Sequence, residues 1–163
     1  MQFMQGHYQN AYVTHNLEAA MDILRKRFGI DGYIQFEPNM PFTTPEGPKQ
    51  VHVKACLAWT GGLQIELIEP ISGFIDHYVP YLPKDRSDPT PRFHHIAVRR
   101  EDQTAMRQEI AKLGLPLAFE GEVPGLVFVY LDARQSVGHY LEYVWATAQM
   151  WQATGWPTGR PVG

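Results

Sequence analysis

The sequence predicts an α+β fold built from two similar modules, each with a strand, a helix and about three further strands. A strand pattern that runs into an amphipathic helix occurs twice, and the two copies lie 86 residues apart. Each copy later ends in a strand-like segment that reads Gly-x-x-x-Glu followed by apolar residues. Two copies indicate a pair of modules, because a solenoid needs at least three repeats.

The first module opens with a strand that runs from Gln9 into Asn16, followed by a helix over residues 17–28. Asn16 suits the helix N-cap, because its side-chain oxygen can accept a backbone N–H that the helix leaves unpaired. Gly29 suits the C-terminal end, where a left-handed conformation costs glycine little. The apolar residues of this helix recur at helical spacing: Leu17, Met21, Leu24 and Phe28.

The second module repeats this plan from His95 onward. Asp102 replaces Asn16 as the N-cap, and Gly114 ends the helix. The apolar stripe consists of Met106, Ile110 and Leu113. Because the offset of 86 residues relates Gln9 to His95, we expect these two residues to occupy equivalent places in the first strand of each module.

The last strands of the two modules contain Glu66 and Glu142, which are 76 residues apart. The first module is therefore longer, and its extra length falls in residues 37–48, a Pro-rich stretch that is typical of an irregular loop. We divide the chain into a first βαβββ module (1–70), a connector (71–91), a second βαβββ module (92–145) and a C-terminal tail (146–163). With 163 residues, these parts are expected to form one compact domain.

The composition excludes several classes of protein. A formal net charge of −3 disfavours nucleic-acid binding, which needs clustered Lys and Arg. Cys56 is the single cysteine, so an internal disulfide cannot form. No run of about 20 apolar residues, as a membrane-spanning helix needs, is present. The first residues lack the basic and apolar regions of a secretion signal. A cytoplasmic location is therefore expected, with a small molecule as partner.

Four polar residues carry the predicted chemistry. Gln9 and His95 hold equivalent places in the first strands, and Glu66 and Glu142 in the last. If the two sheets curve around a common cleft, the repeat brings an amide oxygen, an imidazole and two carboxylates together. Around one divalent cation this set has a net charge of zero. Alternation along the strand supports an inward position for Glu66, since its neighbours on either side are apolar and can pack under the helices.

The motifs resemble those of the vicinal-oxygen-chelate superfamily, which contains glyoxalases, bleomycin resistance proteins and extradiol dioxygenases. The resemblance extends from about residue 6 to residue 144 and rests on the ordered set Gln9, Gly-Leu-Gln-Ile-Glu66, Phe-His-His95-Ile-Ala-Val and Gly-His-Tyr-Leu-Glu142. It implies two βαβββ modules whose mixed sheets curve around a shared metal-binding cleft. It also implies the metal ligands Gln9, Glu66, His95 and Glu142.

The resemblance implies an enzyme, which we expect to be a metal-dependent isomerase, epimerase or lyase. One divalent ion (Zn, Ni, Co, Mn or Fe(II)) would act as a Lewis acid on two neighbouring oxygens of a small-molecule substrate. Glu66 or Glu142 would move a proton next to a carbonyl. We expect Tyr140 and Gln64 to line the substrate pocket, because each shares a strand face with one of these glutamates.

The sequence differs from glyoxalase I enzymes, which use glutathione, at two positions. Val13 and Pro70 stand where those enzymes have polar residues, so glutathione is not expected as a cosubstrate. The segments around Glu66 and His95 themselves look nearer to methylmalonyl-CoA epimerase-like members. His7 shares a strand face with Gln9. It is an alternative ligand, or a residue that orients a ligand by a hydrogen bond. With His7 as ligand, an Fe(II) extradiol-type dioxygenase becomes an alternative function. A non-catalytic small-molecule binding or resistance protein is another.

Simpler structural roles remain open for the same residues. Gln9 fits an ordinary strand residue, and Glu66 fits a structural ion pair with Lys54 on a neighbouring strand. His95 fits a core histidine bonded to backbone, and Glu142 fits an exposed edge strand. The tail carries two tryptophans among Gly and Pro, fits no regular element, and is hard to bury on a domain of this size. A homodimer is therefore expected.

Overall fold

The computed structural model describes residues 4–159. Its strands are β1 (His7–Val13), β2 (Ile34–Phe36), β3 (Asn39–Thr44), β4 (Gly47–Thr60), β5 (Leu63–Gly73), β6 (Arg92–Arg100), β7 (Leu117–Val123), β8 (Leu126–Leu131) and β9 (Tyr140–Ala146). Its α-helices are α1 (Leu17–Phe28), α2 (Gln103–Leu113), α3 (Arg134–Val137) and α4 (Ala148–Ala153), and a 3-10 helix spans Val79–Tyr81. The chain divides into two compact units.

The first unit comprises residues 9–41 and 49–94. Its strand β5 pairs in parallel with β1 and antiparallel with β4, and β4 pairs antiparallel with β2. The register places Gln64 beside Gln9 and Glu66 beside Ala11. Side chains at these paired positions share one face of the mixed sheet, so Gln9, Gln64 and Glu66 lie on the same side of it.

Helix α1 covers the other face of this sheet. Asn16 accepts a hydrogen bond from the backbone N–H of Ala19, and Gly29 ends the helix with a left-handed φ of 67°. The predicted cap, stop and boundaries of this helix are all confirmed. Its first half packs on the sheet in a core cluster of Leu17, Ala20, Met21, Cys56 and Leu67.

The second unit comprises residues 4–8, 42–48 and 95–159 of the described chain. Strand β9 pairs in parallel with β6 and antiparallel with β8, and β8 pairs antiparallel with β7. Strand β3 meets β7 at Thr43 and Glu120. Helix α2 begins after the predicted cap Asp102 and ends at the predicted Gly114. Its residue Met106 is fully buried in the core between helix and sheet.

The tail folds into α4, although its sequence indicated no regular element. Thr147 caps the helix by accepting from the N–H of Met150. Trp151 packs edge-on against Tyr8, with ring centroids 5.3 Å apart. The Arg99 guanidinium lies 4.4 Å from the ring centroid of Trp151 and 4.0 Å from that of Trp156. Burial of Trp151 and its stacking on a cation thus fix a helix of six residues, which would be too short to be stable by itself.

These elements confirm the predicted α+β class and the two βαβββ modules with mixed sheets. One local expectation was wrong: residues 39–44, assigned to an irregular loop, form strand β3. Gln50 supports this segment by donating from its side chain to Asn39 Oδ1. Within residues 4–159, every helix is too short or too polar to span a bilayer.

Candidate functional site

His95 and Glu142 form a buried polar pair in the second unit. In the parallel pairing of β6 and β9, Tyr140 lies beside His95 and Ala97 beside Glu142, so the side chains of His95 and Glu142 share a face. His95 Nε2 is 3.3 Å from Glu142 Oε2. His95 is 0% exposed and Glu142 6% exposed. The apolar residues that alternate with them on these strands, such as Ile96, pack under α2.

Burial makes both members of this pair neutral over a wide range of pH. Removal from water lowers the pKa of His95 to about 3, with the nearby His139 as a smaller cause. The same effect raises the pKa of Glu142 to about 8. Near neutral pH, burial therefore favours the uncharged form of both the imidazole and the carboxyl group. An added positive charge would favour ionisation of Glu142, because it would offset the desolvation of the carboxylate.

Tyr130 completes this group of side chains. It lies directly opposite Glu142 in the antiparallel pairing of β8 and β9. Its hydroxyl is 3.2 Å from His95 Nε2, and its hydrogen bond to Glu142 lowers the pKa of that carboxyl against the larger effect of burial. The Tyr130 ring stacks on Phe119 with centroids 4.2 Å apart, and Phe119 stacks on Phe42. The hydroxyl is thus held in place by a stack of three aromatic rings.

Sequence reasoning did not identify Tyr130. Its position depends on the register of β8 against β9, which is set by the intervening turn and α3. One signal was present: Tyr130 falls in the same alternation phase as Phe128 in a predicted strand, next to a strand that carries a candidate ligand.

Tyr140, predicted to line a pocket, is buried on the same face as Glu142. The guanidinium of Arg134 lies 5.0 Å from the centroid of its ring. Arg134 is in turn fixed by two hydrogen bonds to Asp132. The short segment 132–137 therefore covers Tyr140 with a cation rather than with solvent.

The first unit contributes a different kind of polar pair. Gln9 Nε2 donates to Gln64 Oε1 over 2.8 Å, and both side chains are buried, at 4% and 1% exposure. Because Nε2 of Gln9 is a donor here, its Oε1 is the atom suited to bind a cation. Glu66 is half-buried on the same face, two residues from Gln64. His7 begins β1 and is exposed.

Two of the simpler structural roles are wrong. Lys54 lies opposite Glu69 and Leu57 opposite Glu66 in the β4–β5 pairing, which places Lys54 and Glu66 on opposite faces of the sheet. Glu142 does not lie on an edge strand, because β9 has a hydrogen-bonded neighbour on each side.

The chemistry of His95 and Glu142 suits a divalent metal ion. A neutral imidazole offers one nitrogen lone pair, and a carboxyl group beside a cation loses its proton readily. Two ligand atoms at right angles around an ion, each about 2.1 Å away, are about 3 Å apart, close to the 3.3 Å between Nε2 and Oε2. Among residues 4–159, no group of three or more His, Cys, Asp or Glu side chains is arranged to hold a metal.

The single cysteine is not a candidate nucleophile. Cys56 is fully buried under α1, and burial raises the pKa of its thiol to about 12. Since the thiolate is the reactive form, the thiol stays inert near neutral pH.

Comparison with known proteins gives one family. The family model for the glyoxalase/bleomycin resistance protein/dioxygenase superfamily matches residues 8–128. No curated protein matches the sequence.

Several solved structures share the fold at low sequence identity. A hypothetical protein from Bacillus halodurans is 16% identical, with 88% of this chain and 95% of that chain covered and a TM-score of 0.61. A Streptomyces coelicolor methylmalonyl-CoA epimerase variant in complex with 2-nitronate-propionyl-CoA is 18% identical, with coverages of 88% and 96% and a TM-score of 0.63. The Mycobacterium tuberculosis methylmalonyl-CoA epimerase is 15% identical, with coverages of 89% and 90% and a TM-score of 0.56. These similarities show the fold.

The buried pair predicts how stability depends on pH in metal-free protein. The folded state keeps a proton on Glu142 up to about pH 8, whereas the ordinary pKa of a glutamate side chain is 4.5. The contribution of the Glu142 carboxyl group to the free energy of unfolding is therefore full below pH 4.5 and is lost as the pH rises through 8. His95 acts oppositely, and its contribution is lost only as the pH falls below 6.5 toward 3. Between pH 6.5 and 8 we expect the free energy of unfolding to fall by up to about 1.4 kcal/mol per pH unit.

Urea unfolding with EDTA at several pH values measures this slope. Glu142→Gln should flatten it, because the amide does not titrate. Glu109→Gln is the matched control, since Arg100 holds the pKa of Glu109 below its usual range and that group does not titrate in this window. An equal slope in wild type and Glu142→Gln would contradict the assignment.

Proposed function

The chain belongs to the glyoxalase/bleomycin resistance protein/dioxygenase superfamily, and on this basis we propose that it is an enzyme that moves a proton on the carbon next to a carbonyl group of a small molecule. The observation that carries the proposal is the buried contact of His95, Glu142 and Tyr130. A carboxyl group with a raised pKa, fixed by hydrogen bonds, can give and take a proton near neutral pH. The outcome would be isomerisation, epimerisation or a lyase step.

We propose that Gln9, Glu66, His95 and Glu142 hold one divalent ion. Nitrogen and oxygen donors without thiolate suit Zn, Ni, Co, Mn or Fe(II). When bound, the ion supplies Lewis-acid assistance to substrate oxygens. The neutral state of His95 supports this role, because a protonated imidazole has no lone pair to offer.

The other residues of the proposed site would move protons, orient the Glu142 carboxyl group and line the substrate pocket. Glu66 is the second candidate base, and its half-buried position gives it access to solvent protons. Tyr130 donates a hydrogen bond that holds the Glu142 carboxyl in one orientation. Tyr140 and Gln64, both buried, would line the substrate pocket and exclude water from the reacting carbon.

Proton transfer is tested directly by isotope exchange. Methylmalonyl-CoA is the first substrate to try, because it matches the proposed chemistry and epimerases of it share the fold. We expect the protein with added Co²⁺ to catalyse deuterium uptake from D₂O at the carbon between the carbonyls, measured by NMR or mass spectrometry. Glu142→Gln should slow uptake at least about 100-fold, as for loss of a general base.

Glutathione provides the contrasting substrate. Val13 and Pro70 offer no polar group to grip it, so the hemithioacetal of methylglyoxal should be turned over poorly, with kcat/KM below about 10⁵ M⁻¹s⁻¹. Efficient turnover of this compound, without exchange in acyl-CoA substrates, would place the protein with the glutathione-dependent members instead.

Metal binding is the second test, and it also identifies which residue of β1 is a metal ligand. We expect about one ion per chain by isothermal titration calorimetry. His95→Ala should abolish most binding. Gln9→Ala should weaken it modestly, because an amide oxygen is a weak neutral ligand, and Gln9→His should be tolerated. His52→Ala is the control, since this histidine pairs with Glu37 at the surface.

His7 decides between the leading function and its alternative. If it orients a ligand, His7→Ala should change metal affinity or activity by about 10–100-fold. If His7→Ala strips the metal while Gln9→Ala leaves it bound, the site contains two histidines and the Fe(II) dioxygenase function takes precedence. Oxygen uptake with a catechol would test that function. Absence of affinity for every first-row divalent ion would leave a metal-free binding or resistance protein.

We also propose that the protein is a homodimer. Apolar side chains that stay exposed, such as Phe93 and Val137, would be shielded from water in such a pair. Light scattering at micromolar concentration should give twice the chain mass of 18.6 kDa. A mass equal to that of one chain would contradict the proposal.

A further inference from the structure

An apolar groove lies in the first unit beneath the second half of α1. Its volume is about 700 Å³, within the range of small-molecule sites. The lining residues are Tyr12, Ile23, Leu24, Arg27, Phe28, Ile30, Ile65, Thr90 and Pro91. Tyr12 and Ile65 alternate along β1 and β5 with residues of the opposite face. The groove is therefore separated by the sheet from Gln9 and Glu66.

The groove exists because only the first half of α1 packs closely on the sheet. Leu17, Ala20 and Met21 are buried there, whereas Phe28 in the last turn is 70% exposed. An apolar surface of this kind beside a concavity is typical of a binding site rather than of free surface.

The polar side chains that line the groove are all hydrogen-bond donors. Arg27 has a guanidinium group, and Tyr12 and Thr90 have hydroxyl groups. No acidic residue lines it. Arg25 on the same helix is engaged by Asp22 and Asp31, whereas Arg27 forms no ion pair with any residue in the described range 4–159. The groove thus combines an apolar wall with one available cation.

We propose that this groove binds an amphipathic carboxylate, a medium-length hydrocarbon chain whose carboxylate pairs with Arg27. A planar carboxylate fits the fork of a guanidinium group through two parallel hydrogen bonds. The chain would cover Phe28, Leu24 and Ile23. A second copy of the protein fits less well, because a two-fold contact through this surface would bring two Arg27 side chains together without a lining acid to separate them.

Decanoate is the probe, titrated into the full-length protein by calorimetry in the presence of EDTA. We expect saturable binding at one site per chain, and about 4-fold tighter binding for each methylene added between octanoate and decanoate. Arg27→Gln should weaken binding about 10-fold or more, as for loss of a charged hydrogen-bond partner. Arg25→Gln is the matched control on the same helix and should bind decanoate as the wild type does.

Phe28→Ser tests the apolar wall at a position too exposed to affect folding. It should lower the affinity for decanoate, and Arg27→Gln should lower that affinity by the same factor whether or not Phe28→Ser is present. His95→Ala, which removes the proposed metal ligand, should bind decanoate normally. Failure of the groove proposal is therefore distinct from failure of the proposed enzyme.

Three results would overturn the proposal. The first is the absence of saturable decanoate binding to wild type. The second is equal weakening by Arg25→Gln and Arg27→Gln, which would indicate a diffuse charge effect. The third is dissociation of a dimer by Phe28→Ser together with no decanoate binding, which would make this surface an interface between copies of the chain.

Discussion

The burial of a carboxyl group on β9 is the constraint on which the second unit depends. An unpaired carboxylate in such a position would cost several kcal/mol, so Glu142 must either hold a proton or face a positive charge. The fold provides for the protonated state with two neutral partners, His95 and Tyr130. Neither partner neutralises a carboxylate. The buried carboxyl group is therefore accommodated without a cation, and a cation placed beside it would favour its ionised form.

The two modules share a backbone plan but bury polar groups in different ways. At the place that His95 occupies in the second module, the first module has Gln9, bonded to Gln64. An amide pair can be buried at any pH because neither group titrates, and it has no charge to stabilise. The carboxyl group on the same face of the first module is that of Glu66, which is half-buried. The repeat has thus diverged into one unit with a buried amide pair and one with a buried pair of titratable side chains. This difference would allow two glutamates at related positions to take unequal parts in one reaction.

The sequence predicted what local chemistry and repetition determine. Both helices start and end at the predicted caps Asn16, Gly29, Asp102 and Gly114, since capping depends on residues a few positions apart. The orientation of Glu66 and His95 away from the helices also followed from alternation along a strand. Register between strands did not follow, because it depends on turns whose length alone is visible in the sequence. That is why Tyr130 was missed and why Lys54 was considered as a partner for Glu66.

The same reasoning separates the two faces of the first unit. A strand presents alternate residues to opposite sides, so Gln9 and Tyr12, three positions apart, belong to different surfaces with different chemistry. The face with Gln9 is polar and buried. The face with Tyr12 is apolar and lies under a helix whose last turn leaves Phe28 exposed. Basic residues crowd that last turn, where the helix dipole favours cations. Two of the three are engaged by acids on the helix or the following turn, so the third, Arg27, keeps its charge available to an anion in the groove. A substitution that changes the chemistry of one face of the sheet therefore need not change the chemistry of the other face.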